Sequence, residues 1–216
     1  MPSSSKTAPK STSKPAPKAA GVRPAPPRTP PQEVRIIGGL WKRSKLPVPA
    51  QDGLRPTPNR VRETLFNWLG QDLTGWRCID AFAGSGALGL EAASRGAAEV
   101  LLVEQDAALV QSLRATATRL KATGVGVERE DALQALRRRA GRGFNLVFLD
   151  PPFLDGQNDA LVRTALTASL ACLAPQGFIY LESPRVWGAD ELAALGLAPH
   201  KTGKAGAVCF ALLQAA

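Results

Sequence analysis

From Cys78 to Ser183, short runs that are apolar on both faces alternate with longer stretches of helical spacing, and a glycine or a polar residue closes nearly every run. CIDAFAG predicts a strand ending in glycine, GALGLEAASRG a helix with a glycine stop, and EVLLVE a second buried strand. A helix is expected from about Asp106 to Lys121, with Leu109, Val110, Leu113 and Leu120 on one face. VGVERED, NLVFLD and GFIYLES supply three more strands. DALQALRRR and the segment from Asp159 to Leu173, with Val162, Ala165, Leu166, Leu170 and Leu173 in step, supply further helices. APHKTGKAGAVCFALLQ has the pattern of a closing hairpin. Strands without a polar face must be covered on both sides. The expected fold class is therefore α/β: a mostly parallel seven-stranded sheet with helices on both faces and a C-terminal antiparallel hairpin.

Two different stretches precede this alternation. Residues 1–33 hold nine of the 18 prolines and almost no large apolar side chain, which predicts a disordered basic tail. Repeated proline there opposes the amphipathic helix of a mitochondrial leader. Residues 34–56 contain VRIIGGLWKRSKLPVP, two short strands around Gly38 and Gly39 followed by a Pro-punctuated loop, and form a small basic β element. Residues 57–216 form the main domain. It opens with a helix for which Thr57 is the expected cap, Pro58 the first residue, and Val61, Leu65, Trp68 and Leu69 the inward face.

Charge divides in the same way. Of the formal net charge of +9, residues 1–32 carry +6, residues 33–62 carry +5, and the rest of the chain −2. A basic front on a near-neutral body points to a polyanionic partner. Nucleic acid is favoured over membrane because no amphipathic apolar face accompanies the charge. No apolar run approaches the roughly 20 residues a membrane span needs, so a soluble protein is expected. Cys78, Cys172 and Cys209 form no CxxC pair, which disfavours a disulfide framework or a cysteine zinc site and fits a reducing, cytoplasmic setting. His200 lacks nearby ligand partners and is expected in a surface turn; no metal is expected.

Open α/β sheets bind ligands at the carboxyl ends of their strands. After the first strand, Gly84, Ser85, Gly86 and Gly89 allow a ligand close to the backbone and lead into a helix whose first N–H groups suit an anion. The same spacing satisfies GxGxxG and alone would equally serve a dinucleotide enzyme. Glu104 ends the second strand twenty residues beyond Gly84, where an acid can accept from ribose hydroxyls. Asp131 closes the third, as ligand contact or as helix cap.

Asp150-Pro151-Pro152-Phe153, closing LVFL, decides between these readings. It offers a carboxylate, a rigid carbonyl and an aromatic face. An amino group on a nucleobase is a poor nucleophile because its lone pair is delocalised into the ring. Two acceptors at its N–H groups can turn that lone pair toward an electrophilic methyl while Phe153 stacks on the base.

FAGSG, VEQD and DPPF in this order resemble a Rossmann-like class I S-adenosylmethionine-dependent methyltransferase acting on exocyclic nitrogen. VRIIGGLWKRSKLPVP, LRPTPNRVRETLFNWL and DAFAGSGALGLEAASRGA narrow the resemblance to the bacterial 16S rRNA guanine-N2 methyltransferases of the RsmD type, over about residues 34–214. That resemblance implies methylation of a guanine N2, position 966 in customary rRNA numbering, in small-subunit particles. By it, Asp80, Phe82, Gly84, Ser85 and Gly86 would cradle the methionine end of S-adenosylmethionine, Glu104 its ribose and Asp131 its adenine, while Asp150 to Phe153 hold the guanine. Arg60 is assigned to the cofactor carboxylate and Arg62 to cofactor or RNA. Lys42, Arg43, Lys45 and Arg55, on a segment expected beside the cleft, are assigned to RNA phosphates. A monomer is expected. The alternatives are an adenine-N6 or glutamine-amide methyltransferase, a noncatalytic RNA-binding assembly factor, and a nucleotide-linked oxidoreductase; DPPF speaks against the last two.

Overall fold

A computed structural model describes residues 34–48, 57–152 and 159–216. The tail over residues 1–33, Arg55 and Phe153 lie outside the described residues. The elements run β1 (Val34–Arg35), β2 (Lys45–Leu46), α1 (Asn59–Trp68), β3 (Arg77–Asp80), α2 (Gly89–Ser94), β4 (Glu99–Glu104), α3 (Ala107–Leu120), β5 (Val125–Arg129), α4 (Ala132–Arg138), β6 (Phe144–Leu149), α5 (Asp159–Leu170), β7 (Leu173–Ser183), α6 (Ala189–Ala193), β8 (Leu197–Ala205) and β9 (Val208–Ala215).

The apolar runs become strands because each feeds two cores at once. Along β6, Leu146 and Phe148 enter one core, while Val147 and Leu149 enter the other. In β4, Val100 and Leu102 alternate in the same way with Leu101 and Val103. The first core is closed by Val61, Leu65 and Phe66 of α1, Leu90 of α2 and Leu113 of α3. Ala135 and Leu136 of α4, Val162, Ala165 and Leu166 of α5 and Leu192 of α6 close the second. The resulting seven-stranded sheet has the order β5-β4-β3-β6-β7-β9-β8, parallel through β7 and antiparallel across β9 and β8. The expected α/β architecture is present in full.

Register aligns the strand ends with one another. Asp80, Phe148 and Tyr180 are paired neighbours across β3, β6 and β7, as are Leu149 and Leu181. Lower in the same ladder, Phe144 pairs with Leu173 but Leu146 with Phe178, so β6 advances two residues while β7 advances five. The excess forms a bulge in which Gln176 takes φ +61°.

Several local expectations are corrected. Thr57 does not cap α1: Pro58 occupies the cap without a side-chain bond, and the Thr57 hydroxyl donates to Asp150 Oδ2 at 3.1 Å. The helix from Asp159 stops at Leu170 because Leu173 is already paired with Phe144. His200 lies in β8, exposed, with its ring 5.3 Å from that of Phe178, because the hairpin strands are longer than their apolar residues imply. α3 matches the helix expected from about Asp106 to Lys121: Asp106 caps it through Ala108 and Leu109 N–H, and Lys121 ends it in the left-handed conformation.

β1 and β2 pair with each other, and Val34, Ile36, Leu46 and Val48 join the first core, so this element is continuous with the main domain. A buried carboxylate fastens it. Glu91, in α2, accepts the N–H groups of Ile37 and Gly38 at 2.7 Å each and pairs with Arg62 of α1 at 3.4 Å and Arg95 at 2.8 Å. Gly39, at φ +72°, passes so near α2 that a Cβ there would stand 1.8 Å from the Ser94 carbonyl oxygen, so only glycine fits. Removing one partner from such a network strands the others in a dry interior. Glu91→Ala is expected to lower stability by about 3–5 kcal/mol, whereas Leu40→Ala, at a side chain 82% exposed, should stay within about 0.5 kcal/mol. Equilibrium denaturation of the two variants checks this.

Candidate active site

The sheet reverses its winding between β3 and β6, and a crevice at their carboxyl ends is where such a fold takes a ligand. Asp80 and Asp150 stand on either side of that point. Asp80 is buried, and burial pushes its carboxyl up to about 7; the Gly89 N–H opposes that rise and the charge of Glu104 adds to it. Its Oδ2 accepts from Gly89 N at 3.0 Å, while Oδ1 is buried with no hydrogen-bond partner among the described residues. Gly89 keeps this approach close: a Cβ there would lie 2.3 Å from Leu102 Cδ2 and 3.2 Å from the Asp80 side chain, so the Leu102 side chain would have to shift.

The turn from β3 to α2 is held from the next strand. Glu104, half-buried at the end of β4, accepts from Gly84 N at 3.0 Å and Asp106 N at 2.9 Å. Each carboxylate oxygen has a second lone pair that these bonds leave for a ligand. Gly84 and Gly86 take φ +52° and +78°, opening the backbone between Asp80 and Glu104. Phe82 and Ser85 are half-buried on the same turn. Asp131 caps α4 through Gln134 N at 3.0 Å, so its cap reading holds, and it remains exposed at the far end of the row. The donor set fits S-adenosylmethionine on one observation above all: the orphaned Oδ1 of Asp80 is an anionic acceptor that an ammonium group would satisfy.

Asp150 is half-buried at the end of β6, followed by buried Pro151 and exposed Pro152. Its carboxyl is held well above the usual range, first by burial and then by the charge of Glu182; the Thr57 bond pulls the other way. Glu182 belongs to the site but is not among the candidates that the sequence pattern singles out. It is 2% exposed near the end of β7, and Tyr180 donates to its Oε1 at 2.8 Å. GFIYLES does contain the signal, an acid closing a buried strand, but the register that sets it beside Asp150 depends on the β7 bulge.

The basic candidates divide. Arg60 is exposed on α1. Arg62 is not available to RNA: it is fully buried, donating to Glu91, the Arg35 carbonyl at 2.9 Å and Asn59 Oδ1 at 2.6 Å. Helical spacing places it one turn after Pro58 on the inward face. Lys42, Arg43 and Lys45 are exposed. Leu40 N and Trp41 N bond to the Ser94 carbonyl and hydroxyl, which fixes the hairpin tip at the end of α2 away from Gly84 and Gly86, about 9 Å along the helix. Arg119 Nη2 holds the Lys45 carbonyl at 2.6 Å. Among the described residues no helix is long and apolar enough to cross a membrane.

Comparison with known proteins agrees with this geometry. The family model described as "Conserved hypothetical protein 95" matches residues 34–214. The ribosomal RNA small subunit methyltransferase D of Escherichia coli K12 is 43% identical over 182 residues, covering 84% of this chain and 90% of that protein. Its counterpart in Haemophilus influenzae is 42% identical over 160 residues, covering 71% and 80%. Among solved structures, the putative methyltransferase yhhF from Escherichia coli superposes with a TM-score of 0.71 at 38% identity, over 85% of this chain and 98% of that one. The Thermus thermophilus 16S rRNA N2 methyltransferase RsmC, solved with AdoMet and guanosine, does so at 0.67 and 25% identity, over 86% and 50%. Matched by that family model over residues 34–214 and by these relatives over most of their length, the chain belongs to the RsmD-type family of class I S-adenosylmethionine-dependent rRNA methyltransferases.

Proposed function

We propose that this protein transfers a methyl group from S-adenosylmethionine to the exocyclic N2 of a guanine in 16S rRNA, at position 966 in customary numbering, within small ribosomal subunit particles. The observation that carries this reading is Asp150, set at the sheet's switch point beside Asp80 and fixed by the Thr57 hydroxyl. When bound, S-adenosylmethionine supplies a methyl group on a positively charged sulfur. The chain's residues do the rest. Asp80, Gly84, Gly86 and Glu104 form the cofactor cradle, with Asp131 toward the adenine and Phe82 and Ser85 on the turn. Asp150 and the Pro151 carbonyl each accept one N–H of the amine and turn its lone pair toward the methyl. A charged hydrogen bond contributes about 1.5–3 kcal/mol, whereas alignment can supply about 7–11 kcal/mol, so positioning dominates. The names of the relatives support rRNA as substrate, and RsmC, solved with guanosine and named for N2, supports guanine N2 over adenine N6.

RNA is held farther away. Lys42, Arg43 and Lys45 are the proposed phosphate contacts, and Arg119, tied to Lys45, carries the basic surface onto α3 with Arg114 and Lys121. Because the hairpin tip lies at the far end of α2, these contacts grip RNA flanking the target, which must itself sit in a loop or be flipped outward.

Mass spectrometry of nuclease-digested 16S rRNA from cells lacking this gene should show the loss of one N2-methylguanosine; unchanged content would refute the reading. Asp150→Ala should nearly abolish single-turnover methyl transfer to undermethylated subunits while calorimetry finds cofactor affinity little changed. Neutralising Lys42, Arg43 and Lys45 together should weaken RNA binding and flatten its log–log salt dependence by up to about 0.7 per lost contact on single-stranded RNA, as measured by titrations at several salt concentrations.

A further inference from the structure

Glu182 has no part in methyl transfer as described above, yet the fold places it with care. Leu149 and Leu181 are paired across β6 and β7, so Asp150 and Glu182, the next residue of each strand's chain, continue the row. Strands in a ladder lie about 4.8 Å apart, and paired residues share a face. The two carboxyl groups are therefore side by side, above Phe148 and Tyr180 and facing the core that α1 covers. The Thr57 hydroxyl, from the chain entering α1, reaches both.

We propose that Glu182 is a positioning residue for methyl transfer: its carboxylate, one strand over and in register, keeps Asp150 able to take the proton that the substrate amine must lose. This rests on the reading of Asp150 as the acceptor of the guanine N2 hydrogens. As the N2 lone pair bonds to the methyl carbon, the C–S electron pair leaves with sulfur and N2 becomes cationic. One N2 proton then passes to Asp150, leaving a neutral methylated amine and a protonated carboxyl group that solvent resets. A lone, solvated aspartate is too weak a base to take part early in that transfer. Two adjacent carboxylates in a low-dielectric crevice repel each other, so while Glu182 keeps its charge Asp150 is a strengthened base.

The surroundings fit this division. Asp150 faces Glu182, Thr57 and, from β3, Asp80. Glu182 faces Tyr180 on its own strand, Thr57, and, from α1, Arg62. Arg62 in turn faces Glu91 and Arg95 around α2 and Glu63 on its own helix. Burial raises the Glu182 carboxyl, and the Tyr180 and Thr57 bonds and the Arg62 charge restrain that rise.

The test is the pH dependence of single-turnover methyl transfer by the full chain on undermethylated small-subunit particles, with cofactor affinity measured alongside by calorimetry. In Glu182→Gln the neighbouring charge on β7 is gone and Asp150 titrates with only Asp80 as a carboxyl neighbour. The acid limb should move down by about one pH unit or more and the plateau should fall about 3- to 10-fold, with cofactor affinity within about twofold. Tyr180→Phe removes only the hydroxyl on Glu182, lets Glu182 hold a proton more tightly, and should move the limb in the same direction by less; it serves if the glutamine variant fails to fold. Glu182→Asp keeps the charge and should retain the unsubstituted limb. An acid limb unmoved in a folded, cofactor-binding Glu182→Gln or Tyr180→Phe protein would overturn the proposal and leave the proposed function standing. Absence of N2-methylguanine formation by the unsubstituted protein would instead remove that function.

Discussion

The carboxylate of Glu91 is the interaction on which the cleft depends. It has no exposed surface, and around it converge two arginines from different elements and two backbone N–H groups of the basic hairpin. Arg95 lies over the Phe66 ring at 4.7 Å and also bonds to Gln71, so the same centre reaches the apolar face of α1. A charge this dry is tolerable only when its hydrogen-bonding capacity is spent on partners. Those partners come from every segment that must be aligned: α2, which extends from the glycine turn; α1, preceded by Thr57, which holds Asp150; and the hairpin that carries the basic surface. Glu91 touches none of the proposed ligands, yet it registers the parts that do.

Opposite this compensated charge stands an uncompensated one. Asp80, Asp150 and Glu182 end three adjacent strands, and burial raises the proton affinity of each. Nothing in folding requires such a cluster, since apolar residues at these positions would stabilise the sheet more. Local rules are broken in this way where function demands it. The cluster is a surplus of acceptors in a crevice, matched to ligands that bring N–H groups and positive charge.

Much of this is legible in the sequence because the signals are local. Strand periodicity, the glycine turn, the extent of α3 and the acid closing each strand depend on residues close together in the chain, and each stands where the pattern places it. Sequence misleads where a long-range partner decides. Thr57 has the chemistry of a helix cap, but Asp150, 93 residues away, claims its hydroxyl. Arg62 looks like a surface cation until Glu91 is seen behind it. Lys42 and Arg43 lie close in sequence to α1, yet the bonds of Leu40 and Trp41 to Ser94 tie their hairpin to the C-terminal end of α2. Glu182 is visible as a strand-ending acid but not as a neighbour of Asp150, because sequence spacing does not count residues absorbed in a bulge.

That bulge has an evolutionary consequence. Between Leu173 and Phe178 the backbone of β7 already holds slack against β6, so residues gained or lost there change only its size. Above it, Ile179 to Leu181 is hydrogen-bonded to β6 on one side and β9 on the other, and a one-residue slip would turn Glu182 to the opposite face of the sheet. Chain length is thus free to drift at Ala174–Gly177 while remaining locked a few residues later, and homologues should differ in length on one side of Phe178 and not on the other.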